Sequence, residues 1–382
     1  MSNEIDQKLI DAGYQVNHPH VSDEDRCHQS LAYVLDGPVV GTAVAIDTIR
    51  DDPHWLPVAI DTKRQRIAWL KFSDNLNQEA FFYQAVNRRL ASGGVLDAFA
   101  TSDSILHHTE ILPDHPDPMG FIFHMSRCGS TLLGRAMASL ADTQVVYEGP
   151  FCLSDLLFNS IDSAIDPGYF THPAAGGFSL SAKDKLIVRN MINLCSRSPN
   201  EPTRYMIKCV GWNTLFTPLF LEVFPNSPGL FLYREPMGPM LSVLASRPRS
   251  WPIQGTKESD YVVGGDSRSL GYGEYHMRGF ANFFRHALAQ PKLAYVNYRY
   301  LNPESIQHVI KNGFGYCPDE AEMDLVKGMF SVHSKNNQRT KPYQGDQRIP
   351  PPQWLSAWLD EHLGQLYHAL ETSERNLFPP NR

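Results

Sequence analysis

From Gly120 onward, short apolar runs alternate with stretches whose apolar residues recur at helical spacing. The runs are Gly120–Met125, Gln144–Tyr147, Tyr205–Lys208, Gly229–Tyr233 and Leu293–Asn297. Each is a candidate strand. Between them, a helix from about Ser130 places Leu132, Leu133, Ala136, Met137 and Leu140 on one side. A second helix is expected over 217–224, with Thr217 at the cap and Pro218 at the first helical position, and a third over 236–245. Strands separated by helices predict an α/β fold with a mostly parallel central sheet flanked by helices. A closing helix is expected over 353–376, with Trp354, Leu355, Trp358, Leu359 and Leu363 on one face.

The first part of the chain reads differently. Residues 1–115 are expected to form an accessory region, with a hairpin from Leu56–Ile60 and Arg66–Lys71 about a turn at Asp61-Thr62-Lys63, then a helix over 78–90. The proline-rich stretch from Leu112 to Pro118 marks the boundary, which leaves 119–382 for the α/β domain. The whole chain of 382 residues carries a formal net charge of −7, so no global positive field favours DNA or RNA. Any anionic ligand must be held by a local group of donors. The six cysteines include no C-x-x-C pair, which argues against a zinc site and against a disulfide framework. The first residues have neither the basic stretch nor the apolar run of a signal peptide, and no segment reaches membrane-span length, so a cytoplasmic location is expected.

The segment Phe121-Ile122-Phe123-His124-Met125-Ser126-Arg127-Cys128-Gly129-Ser130-Thr131-Leu132-Leu133 carries the most chemical information. A strand runs into a turn holding glycine and two hydroxyls, and a helix begins at the hydroxyls. The unpaired N–H groups and the dipole of a helix start favour an anion there. Ser130 and Thr131 can add donors, and Arg127 adds a full charge in a forked geometry. The triphosphatase pattern G-x-x-x-x-G-K-[ST] is not met, since Gly129 is followed by Ser130 and no glycine stands at the upstream position. The bland alternative is that Ser130 only caps a helix and Arg127 is a surface charge.

This loop resembles the 5′-phosphosulfate loop of sulfotransferases that use 3′-phosphoadenosine-5′-phosphosulfate (PAPS), whose bacterial members carry R-x-G-S-T-L-L after a strand. The resemblance implies a cofactor-binding loop of Arg127, Cys128, Gly129, Ser130 and Thr131, with Arg127 also catalytic. It extends to Gly229-Leu230-Phe231-Leu232-Tyr233-Arg234-Glu235-Pro236 and Ser242, which is similar to the strand-R-[D/N]-P-x-x-x-x-x-S element that holds the 3′-phosphate. Arg234 and Ser242 stand eight positions apart, about two helical turns, so they can converge on one anion. A weaker match from Leu293 to Pro303 carries Arg299-Tyr300 where the family has an acidic pair, and is assigned to the fold. The late basic loop from Ser334 to Asp346 offers Lys335, Arg339 and Lys341 for the 3′-phosphate, or is simply a solvated loop.

The implied reaction moves a sulfuryl group from PAPS to a small-molecule acceptor, a hydroxyl or an amine-type nitrogen, for instance of a specialised metabolite, and leaves the bisphosphate PAP. Lys208 stands where the family often has Lys-Thr-His; it either helps hold the transferring group or reaches solvent at a strand end. The family's histidine base falls on Val210, but other branches of the family, heparan-type and bacterial enzymes among them, place a catalytic glutamate after the equivalent strand. This implies Glu148, after Gln144–Tyr147, as the general base. Its alternative is a strand-end charge or a helix cap, and His276 and His333 are unplaced alternatives. His124 reads as a packed core histidine. Cys128 lacks the arginine of a C-x-x-x-x-x-R phosphatase loop, because position 134 is Gly134. Trp251, Tyr261, Tyr272, Tyr275 and Phe280 are candidates for an aromatic acceptor pocket or for core packing. The main rival is a P-loop-type kinase or nucleotide-binding protein, with a non-catalytic anion-binding module behind it. No metal and no membrane partner are expected.

Overall fold

The computed structural model describes residues 2–14, 16, 31–73, 79, 81–92, 97–109, 111–112, 114–148, 170, 173, 180–198, 204–245, 251–331 and 351–379. Five strands, β4 (Gly120–His124), β5 (Thr143–Tyr147), β6 (Arg204–Lys208), β7 (Gly229–Tyr233) and β8 (Leu293–Asn297), form one sheet in the order β5-β6-β4-β7-β8. Every pairing in it is parallel. β4, β5 and β7 are buried at every position, as expected for strands covered by helices on both faces. The core includes Phe121 and Phe123, which meet Phe220 at 5.4 and 5.6 Å between ring centres. Burying each such ring contributes roughly 2–3 kcal/mol.

The α/β expectation therefore holds. The helix α4 (Ser130–Met137) begins where expected, α6 covers Thr217–Val223, and α7 covers Met237–Ala245. Thr217 is not a side-chain cap; its hydroxyl donates to the Thr214 carbonyl at 2.7 Å from inside the first turn. Before β6 runs α5 (Ala182–Ser196), started by a capping box in which Ser181 and Asp184 satisfy each other's backbone N–H. Before β8 runs α9 (Tyr272–Ala289), preceded by the short α8 (Lys257–Val263). After β8 come α10 (Ile306–Phe314) and α11 (Glu320–Gly328); the closing helix α12 (Gln353–Glu371) ends earlier than expected, and Asn376 instead forms a bridge to Tyr295 of β8.

The N-terminal part contributes α1 (Ser2–Asp11), α2 (Thr42–Asp51), α3 (Phe82–Ala91) and a second sheet. This sheet is antiparallel, β1 (Trp55–Asp61), β2 (Arg66–Lys71) and β3 (Ala98–Ser102) in chain order. The predicted hairpin is present with a longer connection, residues 62–65, in which Gln65 takes φ 56°. β3 was not foreseen. The two parts share a hydrophobic core: Leu9, Ile46, Ile49 and Ile105 belong to the cluster that holds Phe121 and Leu230. Asp6 of α1 also caps α9, accepting the N–H groups of Tyr272 and Gly273 at 2.7 and 2.9 Å.

Candidate active site

The sheet order puts the chemistry in one place before any side chain is considered. β4 lies between β6 and β7; the chain leaves β4 toward β5 on one side and leaves β7 toward β8 on the other. Right-handed crossovers send these two connections to opposite faces and open a crevice at the carboxyl ends of β4 and β7. The loops entering that crevice are 125–129 and 234–236.

In the first loop, Ser126, Arg127 and Gly129 take φ of 74°, 54° and 88°. Two of these are not glycine, and each left-handed side-chain-bearing residue costs roughly 1–2 kcal/mol. Gly129 is the N-cap of α4, and no side chain caps that helix start. At this position only glycine fits. A Cβ here would lie 2.4 Å from the ring of Tyr298, which packs against the loop. His124 fixes the strand end beneath: its Nδ1 accepts the Ser126 N–H at 3.0 Å, so its Nε2 donates to the Cys209 carbonyl at 2.8 Å. Burial, with the nearby Lys208 charge, holds the imidazole well below its ordinary pKa, and a neutral ring is what both bonds require. His124 is the packed core histidine that the sequence indicated.

Cys128 is buried and donates its thiol to the Leu232 carbonyl at 3.2 Å. Burial pushes its pKa up to about 12 against the pull of Lys208 and Arg234, so it is no nucleophile. Ser130 and Thr131 are buried in the first turn of α4.

The second loop brings Arg234 and the helix that carries Ser242. The sequence placed these two together; the structure adds a different partner. The Ser242 hydroxyl accepts Arg127 Nε at 2.6 Å, and Arg127 Nη2 reaches the Ser242 carbonyl at 3.4 Å. Two segments 115 positions apart are thus joined by one guanidinium. Arg234 lies with its guanidinium 4.6 Å above the Tyr298 ring. Gly238 makes room for it, since a Cβ at 238 would stand 2.7 Å from Arg234 Nε. Tyr298, assigned to the fold on sequence, therefore touches both anion anchors. The signal for it was its place directly after β8, next to β7 in the sheet. Its neighbour Arg299 does serve the fold, pairing with the buried Glu371.

On the other side of β4, Lys208 and Glu148 meet. Lys208 has no exposed surface, and its ammonium donates to Glu148 Oε1. That burial overturns the reading of Lys208 as a strand-end lysine in solvent. The Glu148 N–H donates to the Lys208 carbonyl at 2.6 Å, extending the β5–β6 ladder by one bond, and Glu148 itself is left-handed at φ 58°. The ammonium also stands 5.6 Å from the ring of Phe81. The N-terminal part, in which no chemistry was read, thus reaches this edge of the site. After β6 the chain turns tightly at Gly211, where a Cβ would lie 3.3 Å from that of Ser126. Val210, which stands at the usual histidine position, donates its N–H to Asn213 Oδ1 at 3.2 Å.

Arg127 and Arg234 thus stand in the two loops beside one uncapped helix start, and Lys208, paired with Glu148, acts together with Arg234 on the Cys128 thiol within the first loop. His333, Lys335, Arg339 and Lys341 lie outside the described residues. The aromatic candidates for an acceptor pocket belong chiefly to the core: Trp251, Tyr275 and Phe280 are buried, and Trp251 packs on the other two at 5.6 Å each. Tyr275 and Tyr272 donate their hydroxyls to the carbonyls of Pro252 and Val243, and Tyr261 stacks on Phe170 at 4.1 Å. Among the described residues no group of three His, Cys, Asp or Glu side chains is placed to hold a metal, and no helix is long and apolar enough to cross a membrane.

No family model and no curated protein matches the chain. Several solved structures are similar to it in fold. A sulfotransferase from Alicyclobacillus acidocaldarius is 12% identical, with a TM-score of 0.34, over 67% of this chain and 96% of that one. The sulfotransferase domain from the curacin biosynthetic pathway is 16% identical, with a TM-score of 0.35, over 66% of this chain and 99% of the other. A sulfotransferase from Mycobacterium tuberculosis H37Rv is 14% identical, with a TM-score of 0.35, over 85% of this chain and 92% of its own.

Proposed function

We propose that this protein is a sulfotransferase that uses PAPS and delivers the sulfuryl group to a hydroxyl or amine-type nitrogen of a small molecule, such as a specialised metabolite, in the cytoplasm. What supports this reading most is the Arg127–Ser242 hydrogen bond, which joins the strained loop after β4 to the helix after β7 around one uncapped helix start. A site of that kind suits a ligand with two separated phosphates, one for each loop. The residues fit such a ligand: Gly129, Ser130 and Thr131 offer backbone and hydroxyl donors to the 5′ side, and Arg234 with Ser242 offers a cation and a hydroxyl to the 3′ side.

When bound, PAPS supplies an activated sulfuryl group whose departure leaves a phosphate oxygen of growing negative charge. Arg127 stands beside the loop with its guanidinium fixed by Ser242, so it meets that charge without reorganising. Lys208 holds Glu148 at the end of β5, and Glu148 takes the proton of the acceptor group. Two residues to which this reading gives work, Arg127 and Glu148, hold left-handed backbone angles. The kinase alternative lacks the loop lysine that its phosphate chemistry requires.

The test is calorimetric titration with PAP, AMP and ATP. PAP should bind with a clear preference over the other two, and Arg234→Ala should weaken it by at least about tenfold, the loss of one charge-assisted contact. Glu148→Gln should keep PAP binding and lose transfer from PAPS. A preference for ATP with magnesium would move the kinase reading to the front.

A further inference from the structure

A cavity of about 170 Å³ opens at the amino end of the parallel sheet, away from the phosphate loop. That is the volume of roughly five or six waters. Its walls come from both parts of the chain: Pro53 between α2 and β1, His115 and Pro116 ahead of β4, the end of α5 at Ser196–Ser198, and Tyr205 of β6. Most polar groups on this wall have bonding partners. The Ser196 hydroxyl donates to the Asn193 carbonyl at 2.8 Å and accepts from His115 Nε2 at 2.7 Å. Tyr205 donates to Asn193 Oδ1 at 2.9 Å, and the Gln144 amide bonds the carbonyls of Ser196 and Arg197.

Arg197 is the exception. Its side chain is buried at 6% exposure, and its Nη1 has no hydrogen-bond partner among the described residues. Nη2 makes only a long contact of 3.5 Å to the Arg50 carbonyl. Asp52 attracts it through space, but that carboxylate is bonded to Lys71 and His54 at 2.8 and 2.6 Å. Burial draws the guanidinium down to about 10, which still leaves it charged at neutral pH. His115, drawn down to about 4 by burial and by Arg197, is neutral there. Arg197 therefore sets one full positive charge, short of an acceptor, at or just behind a wall that includes two prolines and a tyrosine. A buried cation in that state is stabilised by an oxyanion that restores its missing bonds.

We propose that this cavity is a binding site for a small carboxylate, its oxygens on the Arg197 guanidinium and its short apolar body against Pro53, Pro116 and Tyr205. A single charge and an apolar tail match the wall better than a doubly charged inorganic anion does, since no second cation lines it among the described residues. The site is separate from the phosphate loop and does not depend on the nature of the reaction there.

The experiment follows the His115 ring C–H resonances of the full-length protein during titration with propionate, with propionamide as a neutral counterpart of the same shape. His115→Gln identifies the resonances. Propionate should give a saturable shift with a millimolar midpoint, propionamide none, and Arg197→Gln should weaken the response at least about tenfold. Equal responses to propionate and propionamide, or an undiminished response in Arg197→Gln, overturn the proposal. Sulfate at matched ionic strength binding more tightly than propionate overturns the carboxylate assignment. If Arg197→Gln fails to fold, the propionate and propionamide titrations of the native protein decide the matter alone.

Discussion

Among the described residues a lysine–carboxylate pair stands at an end of each sheet, and the two differ in almost everything but chemistry. Lys208 and Glu148, at the carboxyl edge of the parallel sheet, are 0% and 14% exposed. Lys71 and Asp52, at the end of β2 in the antiparallel sheet, are 40% and 26% exposed and stand 2.8 Å apart. The sheets explain the contrast. In a parallel sheet every strand ends at the same edge, so the residues that follow β4, β5, β6, β7 and β8 crowd into one region and bury one another. In an antiparallel sheet successive strands end at opposite edges, so charges at strand ends spread out and stay wet. The buried edge supports chemistry because its charges act at short range in a poor dielectric; the wet edge supports only solubility and modest pairing.

The strongest way to break this comparison is to unpair the buried ions. Lys208→Met leaves Glu148 without its cation, and Glu148→Gln leaves a lysine with no exposed surface and no counter-charge. Each single change should cost about 3 kcal/mol in urea denaturation, with the lysine left alone faring worse. Combining the two should recover most of that loss, because the desolvation of both charges disappears together. Losses that simply add would mean the two groups act independently, and the buried pair would then be no unit.

A smaller effect is expected at the loop itself. Gly129→Ala places a methyl 2.4 Å from the Tyr298 ring and asks alanine to hold φ 88°. The backbone alone should cost roughly 1–2 kcal/mol, read as a lower denaturation midpoint, and PAP affinity should fall by at least tenfold as the ring is displaced. Adding Tyr298→Ala should return the part that is steric and leave the part that is conformational. Full recovery would show that φ at this position carries no cost, and no recovery that the ring was never in the way.

How far such contacts were legible in the sequence depends on their range. β7 and β8 match their expected spans to the residue, because uninterrupted apolar runs such as Gly229–Tyr233 have only one way to be buried. The start of α4 at Ser130 was equally plain, since glycine followed by two hydroxyls and a helical period is a local signature. β3 escaped notice: Ala98–Ser102 is short, its residues are mostly small, and it is only partly buried. At the site, counting along the helix paired Ser242 with Arg234, whereas the hydroxyl bonds Arg127, which stands in the loop after another strand. Helical spacing gives distances within one element and says nothing of which neighbouring loop reaches it. Phe81 against Lys208 lay beyond sequence reasoning for the same reason, as no local pattern links an N-terminal ring to a distant strand end.

The mildest change sharpens the contrast from the wet side. Burial raises the Asp52 carboxyl, but the Lys71 ammonium and the His54 N–H groups outweigh it and hold the group at about 2. A carboxyl held lower in the folded chain than its ordinary value of about 3.9 stabilises the fold while it is ionised. That contribution is complete above about pH 4 and is lost as the pH falls toward 2. Lys71→Met should lower stability at pH 7 by less than about 1 kcal/mol, as expected for a pair this exposed, and should leave PAP binding unchanged. It should also flatten the fall in stability between pH 4 and 2, because less of the Asp52 shift remains to be lost. A loss at pH 7 as large as that of Lys208→Met would mean that the antiparallel edge is as dry as the parallel one, and the contrast between the two sheets would not stand.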